Sequence, residues 1–250
     1  MNKRFNHILC GVALLLLAGC WSLFFQFRYK SPDQPFSDEP IIPELAVPNV
    51  IVPPIAEAPP KIHLASMPGQ KPDRNLAYAF YATEHGYACS VLVNMHILKN
   101  RLKTKVPFVW LVTEKVPEIY ATIARDKFGA DVRTVTTLDP PPGAWDKYKE
   151  VMTKFQIFKL FEFDRLIVLD SDILVQKNLD HLFYLPSVDL ALPRANWLSD
   201  TFLTSAMFVA EPSEKLWNRI EKRLSNLGNA EFDMDLINSE FLGEALVLPG

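Results

Sequence analysis

Short apolar runs alternate along residues 76–250 with longer segments in which apolar side chains recur every three or four positions. A short apolar run between turn residues is typical of a buried strand, and the wider spacing is typical of a helix with one buried face. The strand candidates are 76–82, 107–113, 132–138 and 165–169. Helix candidates at 87–100 and 117–128 separate the first three of them. This alternation predicts βαβ units, and therefore an α/β fold with a mostly parallel central sheet covered by helices.

Further elements follow a proline-rich loop at 139–145. We expect a helix at 149–161, with Phe155, Phe158 and Phe161 as core residues. The remaining candidates are a strand at 203–209, a helix at 212–224 with proline in its first turn, and a helical segment that opens at 233–238.

The N-terminal segment 8–27 contains no charged side chain. As a helix it would span about 30 Å, which matches the apolar thickness of a bilayer. We expect an uncleaved transmembrane anchor preceded by a cytoplasmic tail at 1–7, an orientation that Lys3 and Arg4 favour slightly.

Two other interpretations of this segment compete with the anchor. One is a cleaved signal peptide, and the other is lipidation of Cys20, because Leu17-Ala-Gly-Cys20 has the form of a bacterial lipoprotein cleavage box. The apolar run continues beyond Cys20 to Phe27, which favours the anchor.

Residues 28–75 are rich in proline and contain 11 of the 20 prolines in the chain. Such a stretch predicts a semi-rigid extended stem, because it cannot build a helix or a sheet. The folded domain is then expected at 76–250. The chain of 250 residues has a net charge of -3, so no nucleic-acid partner is expected.

The strand candidate 165–169 is followed by Asp170-Ser-Asp172. In an extended segment the side chains of residues i and i+2 point to the same side, so both carboxylates could reach one Mn²⁺ or Mg²⁺ ion. A metal held there could clamp a diphosphate beyond the carboxyl end of the strand. From these residues alone, an aspartate turn or helix cap is the ordinary alternative.

Four sequence blocks occur in a fixed order along the domain. They are Ala79-Phe-Tyr-Ala-Thr-Glu-His-Gly-Tyr87, Lys154 through Asp172, Phe202-Leu-Thr-Ser-Ala-Met-Phe-Val-Ala-Glu-Pro-Ser213 and Asp233-Met-Asp235. Together they resemble glycosyltransferase family 8, the glycogenin and galactinol synthase family, and above all its fungal membrane-anchored members. The resemblance implies a GT-A fold, the Rossmann-like fold of nucleotide-diphospho-sugar transferases.

The resemblance also implies a binding site for a UDP-sugar donor. Thr83 would contact the uridine, and Tyr87 would stack on the flat uracil ring. Lys154 would contact sugar or phosphate oxygens, and Ser171 would also bind the donor. Without the resemblance, Tyr87 would be an ordinary helix-start aromatic residue and Lys154 a solvated surface lysine.

The last two blocks depart from the family pattern. Thr204, Ser205 and Ala206 stand where relatives have Asn-Ser-Gly, and the resemblance still places Thr204 and Ser205 at the donor. Asp233 keeps the carboxylate implied to touch the sugar, and is the implied catalytic residue. Met234 replaces a glutamine and cannot form its hydrogen bonds.

Family members complete the metal site with a histidine in a later His-x-x-Gly-x-x-Lys stretch. None of the five histidines of this chain lies in such a context. We therefore expect the chain to be a C-terminally truncated piece of a longer protein.

The implied activity is metal-dependent transfer of a sugar from UDP-N-acetylglucosamine or UDP-glucose to a glycan or glycoconjugate, with retention at the anomeric carbon. Together with the anchor and stem it implies a single-pass type II protein of the Golgi membrane, with a lumenal catalytic domain. Two alternatives stay open: an aspartate-dependent phosphatase, and a membrane-tethered UDP-sugar-binding protein without catalysis.

Overall fold

The computed structural model describes residues 74–139, 143 and 150–249. The predicted tail and anchor, and almost all of the predicted stem, lie outside these residues. Within the described part of the chain, no helix is both long enough and apolar enough to cross a membrane.

Seven strands form one sheet in the order β3-β2-β1-β4-β6-β5-β7. Their bounds are β1 Leu76–Ala82, β2 Phe108–Val112, β3 Asp131–Thr134, β4 Arg165–Leu169, β5 Leu190–Pro193, β6 Met207–Ala210 and β7 Leu246–Leu248. Strands β3, β2, β1 and β4 are mutually parallel, and β5 is parallel to β7. Only β6 runs against its two neighbours. The predicted α/β fold with a mostly parallel sheet is therefore confirmed.

Among the described residues, four α-helices accompany the sheet: α1 His85–His96, α2 Glu118–Ile123, α3 Glu214–Leu224 and α4 Asp233–Phe241. Helices α1 and α2 continue as π-helical segments at Ile97–Arg101 and Ala124–Phe128. In the described part of the chain, 3₁₀ helices lie at Val151–Lys159 and Asp180–Tyr184.

Both faces of the sheet are buried, because side chains along a strand point alternately to opposite sides. Tyr78 and Phe80 of β1 join one core cluster with α1. Ala77 and Ala79 join the other with the 151–159 helix, α3 and α4. A fully buried parallel strand has apolar side chains at every position, which explains the continuous apolar runs of β1 and β4.

Several boundaries differ from the prediction. Strand β3 ends at Thr134 rather than 138, and the strand predicted at 203–209 forms only over Met207–Ala210. The 151–159 helix has 3₁₀ geometry, and its core contains Phe155 and Phe158 but not Phe161, which is 44% exposed. Phe161 lies beyond the end of that helix, in the turn that leads to β4.

Candidate active site

Polar residues follow the carboxyl ends of three adjacent parallel strands. Thr113 comes directly after β2, Thr83 after β1 and Asp170 after β4. The Thr113 hydroxyl donates to the Thr83 carbonyl oxygen over 2.5 Å and ties two of these ends together. Because β6 is antiparallel to β4, the residues before β6 reach the same edge, where the Asp170 N–H donates to the Ala206 carbonyl oxygen over 2.9 Å.

Lys154 lies at the centre of this edge and is 1% exposed. Its Nζ donates to Asp233 Oδ2 over 2.5 Å, to Asp170 Oδ2 over 2.9 Å and to Ser205 Oγ over 3.4 Å. It also lies 5.5 Å from the centroid of the Tyr81 ring. Burial alone would lower the pKa of Lys154, but the charges of Asp170 and Asp233 raise it well above its ordinary value. Lys154 is thus a buried, protonated counterion between two carboxylates.

Asp233 is the first residue of α4 and is 8% exposed. Its Oδ2 accepts hydrogen bonds from both Lys154 Nζ and Ser205 Oγ, each at 2.5 Å. Burial acts to raise the pKa of Asp233, but the charge and hydrogen bonds of Lys154, Ser205 and the Met234 backbone hold it below its ordinary value. Asp233 is therefore ionised at neutral pH.

Asp170 and Asp172 occupy different environments. The Asp170 side chain is 15% exposed, whereas Asp172 is exposed. Burial is the main cause that raises the pKa of Asp170 to about 7, against the lowering effect of Lys154. Both Asp170 oxygens lie 2.9 Å from Lys154 Nζ, yet only Oδ2 is oriented for a hydrogen bond, and the buried Oδ1 has no hydrogen-bond partner.

The donor set at Asp170 and Asp172 suits a hard divalent cation. The two carboxylates supply oxygen ligands. The buried Oδ1 of Asp170 has no hydrogen-bond partner, so it is available to bind a cation. Among the described residues, no group of three or more His, Cys, Asp or Glu side chains is arranged around a metal position. Mg²⁺ and Mn²⁺ sites of this kind use one or two carboxylates together with substrate phosphates, so the pair fits as an incomplete protein ligand set.

The predicted donor-binding residues fall into two groups. Thr83, Ser171, Thr204 and Ser205 are all buried at the carboxyl edge. The Thr204 hydroxyl accepts from the Ala206 N–H over 3.1 Å, and Ser205 contacts Asp233 and Lys154, so both side chains are engaged within the protein. Tyr87, in the first turn of α1, is 38% exposed.

Sequence reasoning missed Tyr81, Thr113 and Asn94. Tyr81 is the apolar neighbour of the Lys154 ammonium, and Thr113 fixes the backbone at Thr83. Asn94 is 1% exposed and pins the backbone just after Asp172, because it donates to the Ile173 carbonyl oxygen and accepts from the Val175 N–H. The only sequence signal for Thr113 is its position at the end of the apolar run that predicts a strand.

The chain is similar to two curated fungal proteins, both named glucose N-acetyltransferase 1. The protein from Gibberella zeae is 28% identical over 189 residues, which cover 69% of this chain and 42% of the relative. The protein from Aspergillus fumigatus is 28% identical over 197 residues, which cover 69% and 51%. The chain thus spans about half the length of these curated relatives. No protein-family profile matches the chain.

Solved structures resemble the fold at low sequence identity. Glycosyltransferase GlyE of Streptococcus pneumoniae has a TM-score of 0.55 at 16% identity and covers 70% of this chain and 45% of its own. Galactosyltransferase LgtC, solved with donor and acceptor sugar analogs, has a TM-score of 0.53 at 15% identity and covers 68% and 72%.

The sheet and these neighbours define the class of the protein as α/β with the GT-A glycosyltransferase fold. Its curated relatives and its fold support a glycosyltransferase of the GT-A type, and its four sequence blocks resemble glycosyltransferase family 8.

Proposed function

We propose that this protein is a metal-dependent retaining glycosyltransferase that moves a sugar from a UDP-sugar to a glycan or glycoconjugate acceptor. The observation that carries the proposal is the buried Lys154 bound to Asp170 and Asp233 at the carboxyl edge of the sheet. Ligands of open α/β sheets bind beyond this edge. A buried ionic cluster costs free energy and is common at functional sites.

Charge balance in the cluster supports metal dependence. When all groups are ionised, Lys154 offsets one of the three carboxylates of Asp170, Asp172 and Asp233, so the edge carries excess negative charge. A UDP diphosphate is itself anionic and would be repelled. A divalent cation held by Asp170 and Asp172 would remove this repulsion and, as a Lewis acid, stabilise the charge that builds on departing UDP.

The surroundings of Asp233 favour an orienting role over a nucleophilic one. Its Oδ2 accepts hydrogen bonds from Lys154 and Ser205, which lowers the reactivity of that oxygen as a nucleophile. An ionised carboxylate near the donor can accept hydrogen bonds from sugar hydroxyl groups and so fix the sugar. The acceptor hydroxyl then attacks on the same face from which UDP departs, and the leaving phosphate takes its proton.

The donor sugar, acceptor and location belong to the same proposal. The fungal relatives bear the name glucose N-acetyltransferase, and we propose N-acetylglucosamine, followed by glucose, as the donor sugar. The predicted anchor and stem at 8–27 and 28–75 support a Golgi membrane location with a lumenal domain.

Calorimetry of UDP binding to the full chain tests the metal assignment. We expect Mn²⁺ to tighten UDP binding, and Asp170→Ala to abolish this effect because it removes the buried ligand. Asp200→Asn is the matched control, because Asp200 is an exposed aspartate that has no side-chain partner among the described residues. Mn²⁺-dependent tightening that survives Asp170→Ala would reject the metal site.

Turnover with UDP-N-acetylglucosamine and UDP-glucose tests the activity. Release of UDP that depends on a glycan acceptor and on Asp233 is the expected result. UDP-sugar binding without release would instead identify a binding protein without catalysis. Stabilisation of the protein by bound beryllium fluoride, without any binding of UDP, would instead identify an aspartate-dependent phosphatase.

A further inference from the structure

Asn94 is a polar residue on the core-facing side of α1. It shares this side, at helical spacing, with Val91, Met95 and Leu98, which are fully buried apolar residues, and it is itself 1% exposed. Asparagine forms helices less readily than leucine or methionine. A buried amide also costs free energy unless it is hydrogen-bonded. Neither helix formation nor packing therefore explains an amide at this position.

The Asn94 carboxamide uses both its oxygen and its nitrogen. Nδ2 donates to the Ser90 carbonyl oxygen within α1 over 3.2 Å and to the Ile173 carbonyl oxygen over 2.8 Å. Oδ1 accepts from the Val175 N–H over 3.0 Å. Two of the three hydrogen bonds thus join α1 to the loop that follows β4.

This loop carries both candidate metal ligands. At its start the Asp170 N–H donates to the Ala206 carbonyl oxygen over 2.9 Å. Residues 173–177, all of which the structure describes, form neither a helix nor a strand. Asn94 binds backbone groups one and three residues after Asp172. Asp172 therefore lies between two points at which the loop is held.

Apolar packing alone would not fix the loop in this way. Ile173 and Val175 pack in the same core cluster as α1, whereas Leu174 between them is 53% exposed. The hydrophobic effect has no direction, so it keeps the loop against the helix without selecting a register. Hydrogen bonds are directional and select which backbone groups face Asn94.

A second buried asparagine holds a different loop. Asn238 of α4 is 8% exposed, its Oδ1 accepts from the Leu203 N–H and its Nδ2 donates to the Leu203 carbonyl oxygen, each over 2.8 Å. Leu203 directly precedes Thr204 and Ser205. Asn238 is therefore a matched control for Asn94, because it forms the same kind of contact away from the metal ligands.

We propose that Asn94 is a positioning residue of the metal site, an inference that rests on the proposed function. By holding the loop after β4, Asn94 fixes Asp172 relative to Asp170 before a cation binds. The two carboxylates repel each other when ionised. Without Asn94 the loop would have to be ordered during cation binding, and this ordering would lower the affinity.

The same contact gives the site a preference among cations. Mg²⁺ requires nearly ideal octahedral geometry at short distances, whereas Ca²⁺ accepts longer and more variable ligand positions. A loop that is held in one register therefore favours Mg²⁺ over Ca²⁺. Loosening the loop should harm Mg²⁺ binding more than Ca²⁺ binding.

Calorimetry of UDP binding to the full chain at increasing metal concentration tests the proposal. In Asn94→Leu, we expect the Mg²⁺ concentration that gives half of the tightening of UDP binding to rise about tenfold. The corresponding Ca²⁺ concentration should rise less. Asn238→Leu should leave both concentrations unchanged, although it also removes two hydrogen bonds from a buried asparagine to a loop.

Amide hydrogen exchange of the metal-free chain gives a second measurement that needs no metal. The Val175 amide should exchange faster in Asn94→Leu, because its acceptor is lost, and at the wild-type rate in Asn238→Leu. The Leu203 amide should show the opposite pattern. Asn94→Gln keeps the amide on a stem one methylene longer, so it should fall between wild type and Asn94→Leu in both measurements. It carries the test if Asn94→Leu does not fold.

Three results would overturn the proposal. The first is faster exchange at Val175 with unchanged Mg²⁺ dependence, which would make the loop contact irrelevant to the metal. The second is an equal loss of Mg²⁺ and Ca²⁺ binding in Asn94→Leu and Asn238→Leu, which would reduce Asn94 to a general contribution to stability. The third is UDP binding to the wild-type chain that no divalent cation tightens. That result alone would reject the proposed metal site itself, and Asn94 would then be a structural residue.

Discussion

At the scale of single residues, Lys154 connects the parts of the candidate active site. A lysine in a helix is usually solvated, but most positions of this helix are buried, Phe155 and Phe158 among them, and Lys154 is buried with them. The low dielectric of that environment strengthens its attraction to Asp170 and Asp233. The stability of the fold and the proposed donor site therefore depend on the same side chain.

We predict that Lys154→Met strongly destabilises the full chain. The substitution keeps an unbranched apolar stem but leaves two mostly buried carboxylates without their counterion. Breaking a buried ion pair in this way costs about 3–5 kcal/mol in the free energy of unfolding. Urea denaturation at neutral pH measures the loss.

Lys159→Met is the control for this prediction. Lys159 belongs to the same helix but is exposed, with Nζ 4.3 Å from the centroid of the Trp217 ring. Loss of that cation–π contact costs about 0.5–1 kcal/mol. Equal destabilisation by the two substitutions would contradict the role assigned to Lys154.

Ser205 is the clearest case of a positioning residue. It is 2% exposed, and its hydroxyl donates to Asp233 Oδ2, so we expect Ser205→Ala to lower kcat while KM for the donor changes little. Loss of a hydrogen bond to a charged group should also cost about 1.5–3 kcal/mol in stability. Steady-state kinetics and denaturation test both effects, with exposed Ser199→Ala as the control. A rise in KM alone, with unchanged stability, would instead make Ser205 a donor contact.

The sequence could locate Asp170, Asp172 and Asp233 but not their surroundings. An apolar run that ends in Asp-x-Asp is visible in one stretch of chain. The contact of Lys154 with Asp233 joins residues 79 positions apart, and no local pattern encodes it. Asn94 is hidden for the same reason, since its partners at Ile173 and Val175 come from the loop after β4.

At the scale of elements, long apolar runs predicted strands well and short ones did not. Strands β1 and β4 have the predicted bounds, because both are buried on two faces. Strands β5 and β7 were missed, since they have four and three residues and β7 is partly exposed. Strand β6 starts later than predicted, because Leu203 forms only an isolated antiparallel bridge with Arg194 and the Thr204 hydroxyl accepts from the Ala206 N–H in the bend before Met207.

Helix starts show how one polar side chain shifts a boundary. A proline in the first turn was predicted for the helix at 212–224. Instead Ser213 is the N-cap of α3, and its hydroxyl accepts from the Leu216 N–H over 3.1 Å. Pro212 then precedes the cap, and the first helical residue is Glu214.

The loop between α3 and α4 leads to Asp233, and a pH-dependent ion pair between Glu231 and Arg223 stabilises this loop. Glu231 accepts from Arg223 Nη2 with both oxygens at 2.7 Å, and these hydrogen bonds lower the pKa of Glu231 from 4.5. A lowered folded-state pKa stabilises the protein above the unfolded value, and this contribution is lost as the pH falls through the folded value.

We therefore predict that Glu231→Gln lowers the free energy of unfolding at pH 7 and removes part of its decline below pH 4.5. Thermal denaturation at a series of pH values measures both changes. Glu221→Gln on α3 is the control, because Glu221 is exposed and its side chain has no partner among the described residues. Parallel pH curves for wild type and Glu231→Gln would contradict the prediction.

At the scale of the whole molecule, the sheet order decides which residues meet. Strands β2, β1 and β4 are parallel neighbours although β1 and β4 are far apart in sequence, so their carboxyl ends form one edge. The reversed strand β6 adds Thr204 and Ser205 to that edge from the other direction. The apolar pattern predicted a parallel sheet but did not contain its order, because neighbouring strands share no sequence signal.

This order also predicts a gradient of local stability, which amide hydrogen exchange can measure. Strand β1 is paired on both sides, and most of its side chains are fully buried. Among the described strands, β7 pairs only with β5, and Leu246 and Val247 are each 37% exposed. Backbone amides of core strands exchange only when the whole domain unfolds, whereas those of exposed edge strands exchange by local opening. We expect the amides of β1 to exchange most slowly, those of β4 next and those of β7 fastest. Exchange of β7 as slow as that of β1 would mean that further contacts cover this edge.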